Sequence, residues 1–580
     1  GGLFQYISSY LDSVIVLIKY GKMKTRLILL SAVIPLLLCT CHGPANKISP
    51  WVTYDESSEI AQNASHPSPK MRYQLIQSRI SDRNAVWENV SEQLRGFDDE
   101  DYQRLMPLIL EQDIPALQKH ITSGKLTYGE LTQWYLYRIV LYENNPATAL
   151  NNIISINPDA LREAREKDRK RSAGQHPLYG IPVLLKDNIG MNGLPTTAGA
   201  AFLAGNMAPD AFIVERIKDK GGIILGKVNL SEWANYLSSA CPNGWSAVGG
   251  QTLNPYGRRK FDTGGSSSGS GTAVSACYAS VAVGTETSGS ILSPSSANSL
   301  VGLKPTVGLL SRSGIVPLSG TLDTPGPMTR SVTDNAILLS AMCGEDPDDG
   351  VTKGNPKDIV YWEDLSSADL SGLRLGVIRA FMADSLYRLA VEKISSLGAT
   401  CIEFEPPSLT LRGFSTLLSA DMKKDLPAYL EKYASPDIPR FSIEEIISFN
   451  SADSANRIPY GQTIFRSMAA LETTPDEVDS LRNSLHSTAV SYFETPMTEN
   501  NLDAILSIAN RSASLAAAAF YPCLTVPMGY RATGEPVGLT FIAKPFSERN
   551  LLRMGYAYEQ ATRLRKMPET LPAPSFPTLE

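Results

Sequence analysis

The sequence predicts an α/β fold, a single large domain whose central sheet is covered by helices on both faces. Three observations carry this reading. Short apolar strands alternate with helices: 181–185 (strand), 210–220 (helix), 222–226 (strand) and 229–236 (helix), then 337–342 (helix), 375–378 (strand), 386–397 (helix) and 401–404 (strand). With 43% hydrophobic and 19% charged residues the chain has the balance of a folded globular protein. No internal repeat or long linker divides the 580 residues, although length alone would suggest several domains at about 150 residues each.

The elements follow in order. Residues 23–41 read as a signal peptide: Lys24 and Arg26 precede an apolar core of twelve residues, 27–38, which is too short to span a bilayer at about twenty per crossing. The segment ends in Leu38-Cys39-Thr40-Cys41, which resembles a bacterial lipoprotein processing site. Cys41 is the expected lipidated residue and Cys39 the alternative acceptor; plain secretion and a retained anchor are the other readings. Translation is expected to start at Met23, with residues 1–22 upstream of it. The protein is therefore expected to be exported to the cell envelope, periplasmic or outer-membrane-associated, and tied to the membrane by its N-terminal lipid. Residues 41–70 form a polar tether.

The domain itself is expected over 71–580. From 71 to 175 the pattern is helical, with a capping box at Thr127 and Glu130 ahead of Leu131, Trp134, Leu136 and Val140, and Asp159 capping a charged helix over 161–173. Residues 410–500 read as a variable helical subdomain beside a cleft. Segments 524–528 and 537–542 read as paired buried strands, and 547–565 as a closing helix.

Composition excludes several functions. A net charge of −6 without a long basic stretch offers no track for nucleic acid, and a mean hydropathy of −0.11 excludes a polytopic membrane protein. Beyond residue 41 the cysteines stand at 241, 277, 343, 401 and 523, with no CxxC pair for zinc. They read as buried thiols. Only five histidines occur, at 42, 66, 120, 176 and 486, too few for a histidine-rich metal site.

One segment stands apart. Residues 264–271 are only Gly and Ser, 274–283 read as an apolar helix, and 284–290 return to Gly, Ser and Thr. A flexible linker does not continue this way; small residues at both ends of a helix suit a backbone that holds a site. Residues 265–269 match G-x-S-x-G, but that elbow needs a later histidine and only His486, in a polar stretch, follows. No GK[ST] closes a phosphate loop, and neither a dinucleotide fingerprint nor HExxH occurs. The acidic run 345–349 reads as a solvated loop, with calcium as the lesser reading. Hydroxyls and lysines remain. A lysine held neutral by desolvation serves a serine as base. Lys186, at the end of an apolar strand, is the first candidate, and Lys304 the second.

On Gly180–Asn188 and Gly264–Pro305 the chain resembles the amidase signature family of Ser-Ser-Lys amide hydrolases, over residues 113–568. The resemblance implies a mixed, twisted central sheet, hydrolysis through a serine acyl-enzyme, and no metal or cofactor. By position, Lys186 resembles the family's lysine, Ser266 its serine at a cis peptide bond, and Ser290 its nucleophile, 24 residues further on. The backbone N–H groups of Thr287, Ser288, Gly289 and Ser290 would form the oxyanion hole. Ser267 and Asp262 would steady the serine loop, and Asp323 would be a structural residue of the cleft. Ser288 stands where many members have glycine. Residues 229–235, 245–246, 249–252, 254–256, 284–287, 459–462 and 555–560 are closest to the peptide-amidase-like branch, which implies C-terminal peptide amides or small carboxamides as substrates and ammonia as product. Other C–N amides, such as acyl amides or cell-wall-derived amides, are the alternative. A transamidosome glutaminase subunit and a non-enzymatic envelope lipoprotein are remoter ones. No obligate protein partner is expected.

Overall fold

The computed structural model describes residues 48–439 and 441–569. The expected signal peptide, Cys39, Cys41 and the first part of the tether lie outside the described residues. Among the described residues there are thirteen strands: β1 (Ile153–Ile156), β2 (Pro182–Lys186), β3 (Ile223–Val228), β4 (Trp245–Ser246), β5 (Gly250–Gln251), β6 (Val281–Glu286), β7 (Val301–Lys304), β8 (Thr324–Thr329), β9 (Arg374–Ile378), β10 (Thr400–Phe404), β11 (Ala504–Ile508), β12 (Cys523–Tyr530) and β13 (Pro536–Ile542). Eleven of them make one sheet in the order β1-β3-β2-β6-β8-β7-β12-β13-β11-β9-β10, and β4 pairs only with β5.

The sheet is mixed, as expected. β2 runs parallel to both β3 and β6, with Lys186 opposite Val228 and Leu185 opposite Val283. From β6 through β13 to β11 the pairing is antiparallel, and β9 and β10 extend it in parallel. The near-continuous apolar runs of β2, β3 and β6 suit strands buried on both faces. The single large α/β domain and its helix-covered sheet match the sequence reading.

Local differences are informative. The apolar helix expected over 274–283 is instead a helix at Ser268–Ser275, which begins inside the Gly/Ser run and is followed by β6. Every residue of that helix is buried, and a Cβ on Gly269 would lie 2.3 Å from the Asn229 carbonyl oxygen. The small residues are there so that the helix can press onto β3 and its neighbours, while β-branched Val281 and Val283 fill the sheet centre. The helix expected over 229–236 shrinks to Glu232–Asn235, because Trp233, Ala234 and Asn235 take left-handed backbone at φ 50, 56 and 71°. The capping box of Thr127 and Glu130 forms, and opens the helix Tyr128–Glu143.

Within 410–500, the helix Phe414–Tyr433 buries Leu418, Met422, Leu426, Tyr429 and Leu430 on one face, at helical spacing. These join Trp233, Trp245, Phe465 and Met468 in a second core beside the main one. Each such side chain contributes about 1.5–3 kcal/mol on burial. This core fixes the helix against segments 198–203, 233–247 and 316–322.

Candidate active site

Parallel strands β2 and β6 run side by side, and Lys186 at the end of one reaches Thr285 near the end of the other. Lys186, the last residue of β2, is fully buried. Its Nζ lies within hydrogen-bond distance of Ser266 Oγ at 2.7 Å, Thr285 Oγ1 at 2.8 Å and the Thr285 carbonyl at 3.1 Å. Asn188 donates to the same Thr285 hydroxyl at 3.0 Å. Burial pushes the Lys186 amine down to about 7, against the opposing charges of Asp323 and Glu286.

Ser266 is fully buried and follows a cis peptide bond from Gly265. Its carbonyl accepts the Ser231 N–H at 3.0 Å. Ser267 N–H donates to the Ser290 carbonyl at 3.1 Å, and the Ser267 hydroxyl donates to the Thr285 carbonyl at 3.0 Å. The two serine loops are thus tied by their backbones. Asp262 accepts the Gly264 N–H at 2.7 Å and the Asn243 amide at 3.0 and 3.2 Å at the start of the same loop. Ser290 is 7% exposed, the only one of the three that is not fully buried. Its hydroxyl has no hydrogen-bond partner among the described residues, so a direct Ser266–Ser290 bond is not formed.

The 287–290 turn is held by a residue that sequence reasoning missed. Glu286, the last residue of β6, is 1% exposed, and its carboxylate accepts the N–H groups of Gly289 (2.6 Å), Ile291 (2.7 Å) and Leu292 (3.0 Å). These bracket Ser290. The Gly289 N–H is thereby committed to Glu286, which leaves Thr287, Ser288 and Ser290 of the four N–H groups expected to face an oxyanion. Gly289 itself has φ +88°, and a Cβ there would lie 3.0 Å from the Asn510 amide nitrogen, two reasons for glycine. The sequence signal for Glu286 was slight: one acid closing an apolar strand three residues before a glycine.

Asp323 accepts the Thr287 hydroxyl on one oxygen and the Leu318 and Ser319 N–H groups on the other, at 2.8 and 2.9 Å. Burial pushes its carboxyl up to about 6 despite these bonds. The Ser288 hydroxyl pairs with that of Ser514 at 2.9 Å. A cavity of about 270 Å³ opens from Asn188, Thr285, Thr287 and Asp323 toward Tyr429 and Tyr433.

Other candidates lie apart. Lys304 is fully buried on β7, opposite Cys523, and its Nζ has no hydrogen-bond partner among the described residues; its nearest charges are Glu286 and Glu548 rather than the serines. His486 bonds the Ala518 carbonyl at 2.8 Å and stacks on Phe520, so it does not serve a G-x-S-x-G elbow. In the 345–349 run, Asp346 accepts the Ser311 hydroxyl and Asp349 pairs with Arg312. No group of three or more His, Cys, Asp or Glu side chains suited to a metal occurs among the described residues. Cys241, Cys277, Cys343 and Cys523 are buried free thiols, and Cys401 is half-buried.

Comparison with known proteins points to amidases. The protein-family description Amidase matches residues 130–448. A probable amidase of Arabidopsis thaliana is 37% identical over 479 residues, covering 80% of this chain and 92% of its own. The crystal structure of an amidase family protein from Bacillus anthracis superposes with a TM-score of 0.81 at 39% identity, covering 85% of this chain and 99% of that one. The native peptide amidase of Stenotrophomonas maltophilia superposes with a TM-score of 0.75 at 40% identity, covering 80% and 99%.

Proposed function

The chain belongs to the amidase family and is an amide hydrolase, and we propose that it acts on C-terminal peptide amides and related carboxamides, releasing ammonia. The observation that carries the mechanism is the buried Lys186–Ser266 contact of 2.7 Å, with Ser290, the one partly exposed member of the three, on a loop tied to Ser267. Neutral Lys186 draws the proton of Ser266, and Ser266 takes that of Ser290 as its Oγ attacks the amide carbonyl. Negative charge then develops on the carbonyl oxygen. The N–H groups of Thr287, Ser288 and Ser290 receive it, in a turn that Glu286 already fixes. The relay run backwards protonates the leaving nitrogen, the C–N bond breaks, and ammonia departs. Water, deprotonated by the same relay, releases the acid from Ser290. For this relay the Ser290 hydroxyl, unbonded here, must come within hydrogen-bond reach of Ser266.

The likeness to a peptide amidase at 40% identity supports the peptide-amide substrate. The apolar run 27–38 and the cysteine at 41 support export and anchoring through a lipid on Cys41; loss of membrane association in C41A would test that part. The activity is tested by ammonia release from a panel of peptide amides and simple carboxamides, with S290A as control. Release from peptide amides that S290A abolishes is the expected result. Turnover of other carboxamides alone would move the substrate assignment.

A further inference from the structure

The cavity that opens from Thr285, Thr287 and Asp323 has charged walls, and most of that charge is matched internally. Asp323, Asp348, Asp349 and Asp425 line it with Arg312 and Lys432. Arg312 grips Asp349 through Nε at 2.9 Å and Nη2 at 2.6 Å. Lys432 lies 3.2 Å from Asp348 at the solvent-exposed rim, and Asp323 is held by Thr287 and two N–H groups.

Asp425 is the exception. One of its oxygens accepts the Gly320 N–H at 2.7 Å, and it forms no ion pair with any described residue. A Cβ on Gly320 would lie 2.6 Å from that oxygen, so this approach depends on glycine. Asp421 adds repulsion; the opposing cations are Lys424, which is exposed, and Arg312, which Asp349 has already engaged. Elsewhere the lining includes Ile315, Val316, Pro317, Leu318 and Tyr433. Apolar walls with one uncompensated carboxylate suit an alkyl stem that ends in a cation.

We propose that this cavity selects amides whose amide-bearing residue carries a guanidinium or ammonium side chain, with its stem on the apolar wall and its charge at Asp425. This rests on the peptide-amide reading above. A cationic side chain meets an unpaired carboxylate there, while an anionic one meets like charge, so the cavity both attracts and rejects.

The test compares kcat/KM of the full chain and of D425N on three N-acetylated dipeptide amides ending in arginine, norleucine or glutamate. Norleucine supplies the stem without the charge. The arginine amide is expected to exceed the norleucine amide by about tenfold or more, with the glutamate amide poorest. In D425N, which keeps an oxygen for the Gly320 N–H, the arginine-to-norleucine ratio should fall to within about twofold of one. Asp425→Lys should turn the preference toward glutamate. A wild-type ratio near one, or a ratio unchanged in D425N, would overturn the selectivity while leaving peptide-amide hydrolysis standing. Absence of hydrolysis on all three amides by folded protein whose Ser290 still reacts with a fluorophosphonate would overturn both.

Discussion

Lys186 Nζ lies 2.7 Å from Ser266 Oγ with neither side chain reaching solvent, and the same nitrogen bonds twice to Thr285. A neutral amine has two N–H groups and one lone pair. Thr285 takes both N–H groups through its carbonyl and hydroxyl oxygens, so the lone pair is left for the Ser266 hydroxyl. A protonated amine has only N–H groups to offer, and Ser266 then accepts. The charge of one buried nitrogen therefore decides which way the serine proton points.

The activity should follow that charge. Because burial brings the Lys186 amine down to about 7, the working neutral form grows as pH rises through that value. Log kcat/KM should climb with a slope of about one below pH 7 and level off above about pH 8. A pH–rate profile on one peptide amide checks this. A flat profile between pH 5.5 and 9 would remove Lys186 from the role of base.

The serines should separate in kind. S290A should lose turnover and fluorophosphonate labelling together. S266A keeps the nucleophile but breaks the proton path, so labelling and kcat should fall by about 10²–10⁴ without vanishing. Mass spectrometry of the labelled protein distinguishes the two. Labelling of S290A at normal rate would place the nucleophile elsewhere.

Glu286 acts through the turn it holds rather than on substrate. In E286Q the side chain keeps its shape but offers one acceptor oxygen, and its NH₂ opposes an N–H that formerly donated. At about 1.5–3 kcal/mol for a hydrogen bond to a charged group, kcat should fall about 10–100-fold with KM little changed. Steady-state kinetics below the melting temperature checks this. A KM increase without a kcat change would make Glu286 a binding residue instead.

The sequence singled out Lys186 by its context, a lysine ending an apolar strand, whereas Ser266 and Ser290 stood out among so many serines and glycines only through the resemblance to the amidase signature family. It did not make Glu286 legible, since one carboxylate after a strand looks like any surface acid until three N–H groups are seen to converge on it. Asp425 was hidden for a similar reason, on a helix that read only as variable. The shift of the expected 274–283 helix has a different cause. Gly and Ser are poor helix formers, so local preference put the helix among the alanines and valines, whereas packing against Asn229 admits only the small residues. β7, β8 and β11 escaped notice because four to six buried residues carry no alternation to read.

The same lysine should leave its mark on stability. Its folded-state value of about 7 lies below the 10.5 of an exposed lysine. Between those values the unfolded chain binds the proton and the folded chain does not, so folding becomes more favourable as pH rises through that window; below pH 7 the folded protein carries the full cost of a buried cation. K186M has no such proton. The unfolding free energy of wild type relative to K186M should therefore grow between pH 6.5 and pH 9, by about 2 kcal/mol. Other titrating groups largely cancel in the difference, which denaturant unfolding at several pH values measures. A difference that stays flat would mean that Lys186 holds its proton throughout this range, and a charged lysine has no lone pair with which to take one from Ser266.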